Sequence, residues 1–355
     1  MSETSIEIKE LDGQSVQRWD AFVAACPEAT FFHRAGWKKA IEAGMGHRAH
    51  FLYAERNGII EGVLPLGHVK SFLFGNALMS APFCVYGGVA AHSDAARVAL
   101  HQAAEELARR LGVDYLEMRN AQFAQTESPE SRLPNEDWLA KELYVTFRKE
   151  IDADAEKNLL SIPRKQRAVV RKGIKAELTS EIDTDIHRFY EAYAQSVRNL
   201  GTPVFPKKFF SVLRDVFGED CEVLTIVKDG RLISSVMSFY FRDEVLPYYG
   251  GGTSEARAVK GNDFMYWELM RRAGERGIRI FDYGRSKMGT GSYSFKKNWG
   301  FEPESLKYEY LLVKAKEIPD VNPLNPKYQL FINAWKKLPL PVSKFVGPFI
   351  SRNLG

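Results

Sequence analysis

The sequence predicts an α/β fold used twice in one chain, and three observations carry that expectation. Gly112 and Gly277, and likewise Glu117 and Asp282, are 165 positions apart. Asn57-Gly58 and Asp229-Gly230 each interrupt two strand-like runs at matching places. Tyr86-Gly87-Gly88 and Tyr249-Gly250-Gly251 each lead through a helical stretch to the paired glycines. A repeat this long exceeds any solenoid unit and indicates two copies of a whole domain. The boundaries it suggests are 1–151 and 152–316, with a tail over 317–355.

The elements follow in order. Residues 51–55 and 59–66 form a hairpin, because Asn57-Gly58 supplies the positive φ values of a tight turn. Residues 95–111 have helical spacing, with Ala96, Leu100, Ala103, Leu107 and Leu111 on one stripe, and Gly112 ends the helix. Residues 115–118 are then a strand. The stretch 152–160 is polar and acidic and reads as a joint between copies. In the second copy 222–227 and 232–241 pair across Asp229-Gly230, and 243–249 add a strand. Asn262 or Asp263 caps a helix that Gly277 stops, and 278–283 form the next strand. Tyr144-Val145-Thr146-Phe147 and Tyr308-Glu309-Tyr310-Leu311 are the last matched pair.

Apolar content of 45% and charged content of 26% describe an ordinary globular chain rather than a disordered one. The net charge of +4 is too small to imply nucleic acid, so any anion site must be local. Cys26, Cys84 and Cys221 are scattered, which speaks against a disulfide framework or a zinc site and for a reducing compartment. The first residues lack a basic region and an apolar core, and no run is long enough for a membrane span, so a cytoplasmic protein is expected. Of seven histidines only His187 falls in the second copy, and no GxSxG elbow, Walker loop or Rossmann fingerprint occurs.

A hairpin, a strand ending in glycines, a loop entering a helix and a further strand together resemble the GNAT acyltransferase fold. Two such units in tandem resemble the Fem family of aminoacyl transferases and their acetyltransferase-like relatives. The motifs that carry this are the basic run from Pro163-Arg164-Lys165-Gln166-Arg167 to Arg171-Lys172, Phe281-Asp282-Tyr283-Gly284, and Phe295-Lys296-Lys297-Asn298-Trp299-Gly300. Within that family the chain is similar to the subgroup that accompanies exosortase and extracellular-polymer systems. The resemblance implies, in each copy, a mixed and mostly antiparallel sheet flanked by helices. It also implies a donor that is not tightly bound, aminoacyl-tRNA or acyl-coenzyme A, and a small-molecule or lipid-linked glycan acceptor.

The candidate site residues lie in the second copy. The first-copy counterpart of the Lys296 segment, 131–136, has no lysine, tryptophan or glycine, which points to a working site in one copy only. The resemblance gives Lys296 the negative charge of the donor or tetrahedral intermediate, and an ammonium in a dry pocket suits that task. Lys297 and Trp299 accompany it. Asp282 at a strand's mouth is either a base for the acceptor or an ion-pair partner of Arg285. Tyr249 offers a hydroxyl beside glycines that let a ligand approach the backbone. Arg257 and Lys260 precede a helix N-terminus that could seat phosphate, but one glycine stands where a coenzyme A loop wants two. Arg164, Arg167, Arg171 and Lys175 share a helix face, with Lys165 and Lys172 beside it and no acid among them. Such a stripe suits a polyanion, whether tRNA, a nucleotide-linked sugar or a lipid pyrophosphate. The tail from 322 has five basic residues, no acid, and Trp335, Phe345 and Phe349 between them; it either packs back on the body or lies on an anionic membrane. An acyltransferase is the expected activity, with an acyl-coenzyme A N-acyltransferase and a non-catalytic anion-binding scaffold as the alternatives.

Overall fold

The computed structural model describes residues 5–71, 74–121, 137–318 and 326–355. The segment 131–136, used above as the counterpart of the Lys296 motif, lies outside them. The chain forms two compact units. One takes the described residues up to Leu143, then those from Leu306 to 318, and Arg352–Gly355. The other takes Tyr144–Ser305 and the described residues from 326 to Ser351.

In the first unit, strands β1 (Glu7–Glu10), β2 (Arg48–Arg56), β3 (Ile59–Ser71), β4 (Gly75–Ser80), β5 (Ala90–Ala91) and β6 (Tyr115–Arg119) are joined by a strand from far downstream, Pro303–Leu312. They order as β1-β2-β3-β4-β6 followed by that last strand, with only β4 and β6 parallel. Asn57 and Gly58 take φ values of 52° and 79°, the tight turn expected of Asn-Gly. The helix Asp94–Leu111 starts where the Ser93 hydroxyl accepts the Ala96 N–H and ends at Gly112, φ 60°. Its buried stripe, with Leu100, Leu107 and Ala108, meets Leu52, Leu64 and Leu116 of the sheet.

In the second unit, β7 (Trp138–Glu150, from Tyr144 onward), β8 (Thr179–Asp183), β9 (Cys221–Lys228), β10 (Arg231–Phe241), β11 (Glu244–Gly252), β12 (Ile280–Asp282) and β13 (Ser286–Lys287) form the sheet. Its order is β7-β12-β11-β10-β9-β8, with β13 beside β7 and only β11 and β12 parallel. Adjacent strand residues point to opposite faces. Gly250 thus faces Met265 and Tyr266 of the helix Gly261–Glu275, while Gly251 faces Ala192 and Tyr193 of the helix His187–Leu200. The second hairpin turns on Asp229 and Gly230, φ 49° and 73°.

Several expectations need correction here. The copies exchange their closing strands: β7 ends the first copy in sequence but completes the second unit from Tyr144, and the strand that ends the second copy pairs with β6. Boundaries read along the sequence therefore miss the compact units. The stretch 152–160 is no loose joint, since Asp154 caps the helix Ala155–Ser161 and Gly274 packs directly against the Asp152 carbonyl. Neither Asn262 nor Asp263 caps the long helix. Lys260 does so in a left-handed conformation, φ 59°, leaving both residues in the first turn. The tail is not separate either, because its helices Pro326–Lys336 and Leu340–Ser351 pack within the second unit against Gly201 and Val204.

Candidate active site

The Lys296 segment is a helix, Gly291–Asn298. Thr290 starts it, its hydroxyl accepting the Tyr293 N–H. Trp299, 0% exposed, locks the far end against Phe295, Tyr283 and Tyr266. With the apolar side of the helix fixed, Lys296 turns inward and is 9% exposed, whereas Lys297 stays in solvent. The Lys296 ammonium donates to the carbonyl oxygens of Gly284 and Arg285, both at 2.9 Å, and stands 5.5 Å from the centre of the Phe147 ring. Burial lowers its pKa to about 7, against the pull of the nearby Asp282 carboxylate. At neutral pH this amine is poised between its two protonation states.

Asp282 is enclosed, with its side chain 0% exposed. It accepts the Gly284 N–H at 2.6 Å and faces Arg148 Nε at 3.4 Å. Arg148 is thus an ion-pair partner of Asp282, and the Arg285 guanidinium lies 4.6 Å from the centre of the Tyr144 ring. The carboxylate fixes the Gly284 turn and holds positive charge nearby. Arg148 also pairs with Glu244. Burial, with the Asp282 charge adding to it, raises the pKa of Glu244 despite that arginine; burial likewise raises that of Glu304. Sequence reasoning missed Arg148, Glu244 and Glu304. Arg148 stands in a strand read as part of the other copy, and its charge within that strand was the one available signal.

The remaining candidates are dispersed. Tyr249 is enclosed by the rings of Tyr193, Phe205, Phe209, Phe210, Phe239 and Tyr248, so the fold uses it as packing and does not bring it to Lys296. The glycines beside it admit the protein's own helices rather than a ligand: a Cβ on Gly251 would lie 2.9 Å from the Ala192 carbonyl. Trp299 is fully buried among aromatic rings. Arg257 is exposed on the one-turn helix Ala256–Val259, and Lys260 is half-buried. The helix start they flank carries its own anion. Asp263 sits in the first turn, accepts a hydrogen bond from Gln166, and has its pKa raised by burial. A carboxylate in that turn disfavours a phosphate at the same helix start.

The basic run forms the helix Arg164–Ile174, with Pro163 at the cap position. Val170 and Gly173 are its buried side, and a Cβ on Gly173 would lie 2.9 Å from Cβ of Phe264. Arg164, Lys165, Arg171, Lys172 and Lys175 are exposed, Arg167 is half-buried, and among the described residues none of them makes a salt bridge.

Comparison with known proteins fits this geometry. Residues 161–297, which hold the basic helix and Lys296, match the acetyltransferase (GNAT) domain. No curated protein matches the chain in sequence. Among solved structures, a crystal structure of FemX is 17% identical with a TM-score of 0.68, covering 92% of this chain and all of that one. A tandem GNAT protein from the clavulanic acid biosynthesis pathway is 14% identical, TM-score 0.55, covering 88% of this chain and all of that one. The C-terminal domain of a lysylphosphatidylglycerol synthetase of Agrobacterium fabrum, described as putative, is 13% identical, TM-score 0.57, over 84% of this chain and 91% of that one. The fold is thus the GNAT type, as FemX and the tandem protein have it. Among the described residues no helix is long and apolar enough to cross a membrane.

Proposed function

We propose that this protein is an acyltransferase whose working site is the Lys296 end of the second copy. It moves an activated acyl or aminoacyl group onto an amine or hydroxyl of a cell-envelope or extracellular-polymer precursor. The observation that carries the reading is the buried Lys296 ammonium at the Gly284 and Arg285 carbonyls, inside the stretch that matches the acetyltransferase domain. In the transfer, the acceptor nitrogen or oxygen bonds to the acyl carbonyl carbon. The bond from that carbon to the donor oxygen or sulfur breaks, and the proton of the acceptor leaves with the departing group. Charge grows on the acyl oxygen between these events, and a cation held in a dry place stabilises it without reorganising. Holding donor and acceptor side by side supplies the rest as effective molarity. The name of the lysylphosphatidylglycerol synthetase supports an envelope acceptor, and the exposed cations of the helix Arg164–Ile174 support an anionic donor. Asp263 at the helix start argues for a donor other than one seated there by its pyrophosphate.

The test is direct. Purified protein is given radiolabelled acyl-coenzyme A or aminoacyl-tRNA together with a lysate fraction of lipid-linked precursors, and transfer is followed for wild type and Lys296→Met. Label that reaches an acceptor only with the wild type supports the reading, and the productive donor names itself. Equal transfer by both proteins rejects Lys296. No transfer from either donor, with the basic helix still needed in cells, would favour a non-catalytic anion-binding scaffold.

A further inference from the structure

The helix Leu340–Ser351 is built inside out. Ser343, Gly347 and Ser351, at spacings of four, form its buried side. The Ser351 hydroxyl donates to the Val204 carbonyl at 2.8 Å, and a Cβ on Gly347 would lie 2.9 Å from the Val204 nitrogen. Small residues thus make the fit to the body. Val342, Phe345 and Phe349 take the opposite side and are 42%, 73% and 56% exposed. The preceding helix adds Leu330 at 79% and Phe331 at 41%. Packing against the body explains the first face, while the second stays exposed.

We infer that the helix Leu340–Ser351 lies in the plane of an anionic lipid surface, with Val342, Phe345 and Phe349 in the interfacial layer and Lys336 and Lys337 against headgroup phosphates. Charge selects this occupant over a second copy of the chain. Residues 322–355 contain five cations and no acid, so pairing two such faces would bring like charges together. The one charge within the helix, Lys344, is already held by Glu191 at 2.6 Å. Twelve residues are too few to span a bilayer, and an amphipathic helix of this size instead rests at its boundary. Exposed aromatic rings suit the headgroup layer, and each lysine near an anionic surface adds attraction that salt screens.

Flotation of the full-length protein with vesicles tests this independently of any enzyme activity. Vesicles of phosphatidylcholine with phosphatidylglycerol should carry the wild type upward, and vesicles of phosphatidylcholine alone should carry at least about tenfold less. Phe345→Ser with Phe349→Ser should weaken binding at least about tenfold, since the interfacial anchor is gone. Lys336→Glu with Lys337→Glu should weaken it by a similar factor and flatten its salt dependence. Both pairs are exposed, so thermal unfolding should not move, and that measurement guards against a folding defect. Failure of the wild type to float with anionic vesicles, or flotation unchanged by the double serine variant, overturns the inference. So does a dimer in solution that the serine variant dissolves, because the face would then belong to a second copy.

Discussion

The ends of two strands, one from each copy, show the same backbone carbonyl satisfied in different ways. In the first unit Glu117 is followed two residues later by Arg119, whose carbonyl accepts the backbone N–H groups of Gly87 and Gly88 at 3.0 and 3.1 Å. The Arg119 side chain folds back on Glu117 at 2.6 Å and reaches the Cys84 carbonyl at 2.8 Å. Charge and hydrogen bonds close on themselves. In the second unit Asp282 is followed two residues later by Gly284, and the carbonyl of Gly284 accepts the Lys296 ammonium. A loop's backbone in one copy is replaced by a titratable cation in the other. The first arrangement ties a side chain and backbone together, whereas the second places a charge at the strand's mouth whose protonation changes near neutrality.

The largest effect should come from removing that cation. Lys296→Met keeps the volume and should cut transfer by about a hundredfold or more, the usual cost of losing one oxyanion stabiliser. The same variant tests the titration. The amine titrates at 10.5 when unfolded and at about 7 in the fold, so between these values the unfolded chain holds a proton that the native state does not. This group should therefore contribute stability that rises with pH across that window in the wild type, and that contribution should be lost in Lys296→Met. Transfer that needs the ammonium should fall as pH climbs past about 7. Melting curves and rates at pH 6, 8 and 10 would check both signs.

The paired carboxylates offer the next contrast. Glu117→Gln removes the carboxylate that pairs with the buried Arg119 and should destabilise the first unit by about 3–5 kcal/mol while rate constants stay put. Asp282→Asn removes the charge that supports Lys296, so the folded amine pKa should drop further and the pH limb of transfer should move down with it. If Glu117→Gln slowed transfer as much as Asp282→Asn, the division of roles between the copies would be wrong. A smaller effect belongs to the basic helix: Arg167→Glu with Arg171→Glu should weaken donor affinity several-fold and flatten its salt dependence. The smallest should be Tyr249→Phe, with transfer within about threefold of wild type, since its ring serves as packing. A large loss there would return the tyrosine to the site.

Local chemistry was legible from residues alone. Asn57-Gly58 and Asp229-Gly230 mark turns because few residues tolerate their φ values, and Gly112 and Gly277 stop helices for the same reason. Lys296 stood out because the residues around it differ between copies. The companions of Lys296 were not legible. Arg148 and Glu244 reach Asp282 only because β7 and β11 flank β12, a pairing with no trace in the spacing of any motif. Tyr249 looked chemical in sequence, but the helices His187–Leu200 and Lys207–Phe217 close over it.

The sequence by itself determined the doubled α/β plan, its turns, its helix ends and the asymmetry that singles out Lys296. These depend on neighbours a few residues away or on comparing one copy with the other. Tertiary structure alone decided which strand closes each unit, which arginine faces Asp282, and which aromatic residues of the last helix stay exposed. Each of those turns on which distant surfaces meet, and burial sets the charge on Lys296 only once they have met.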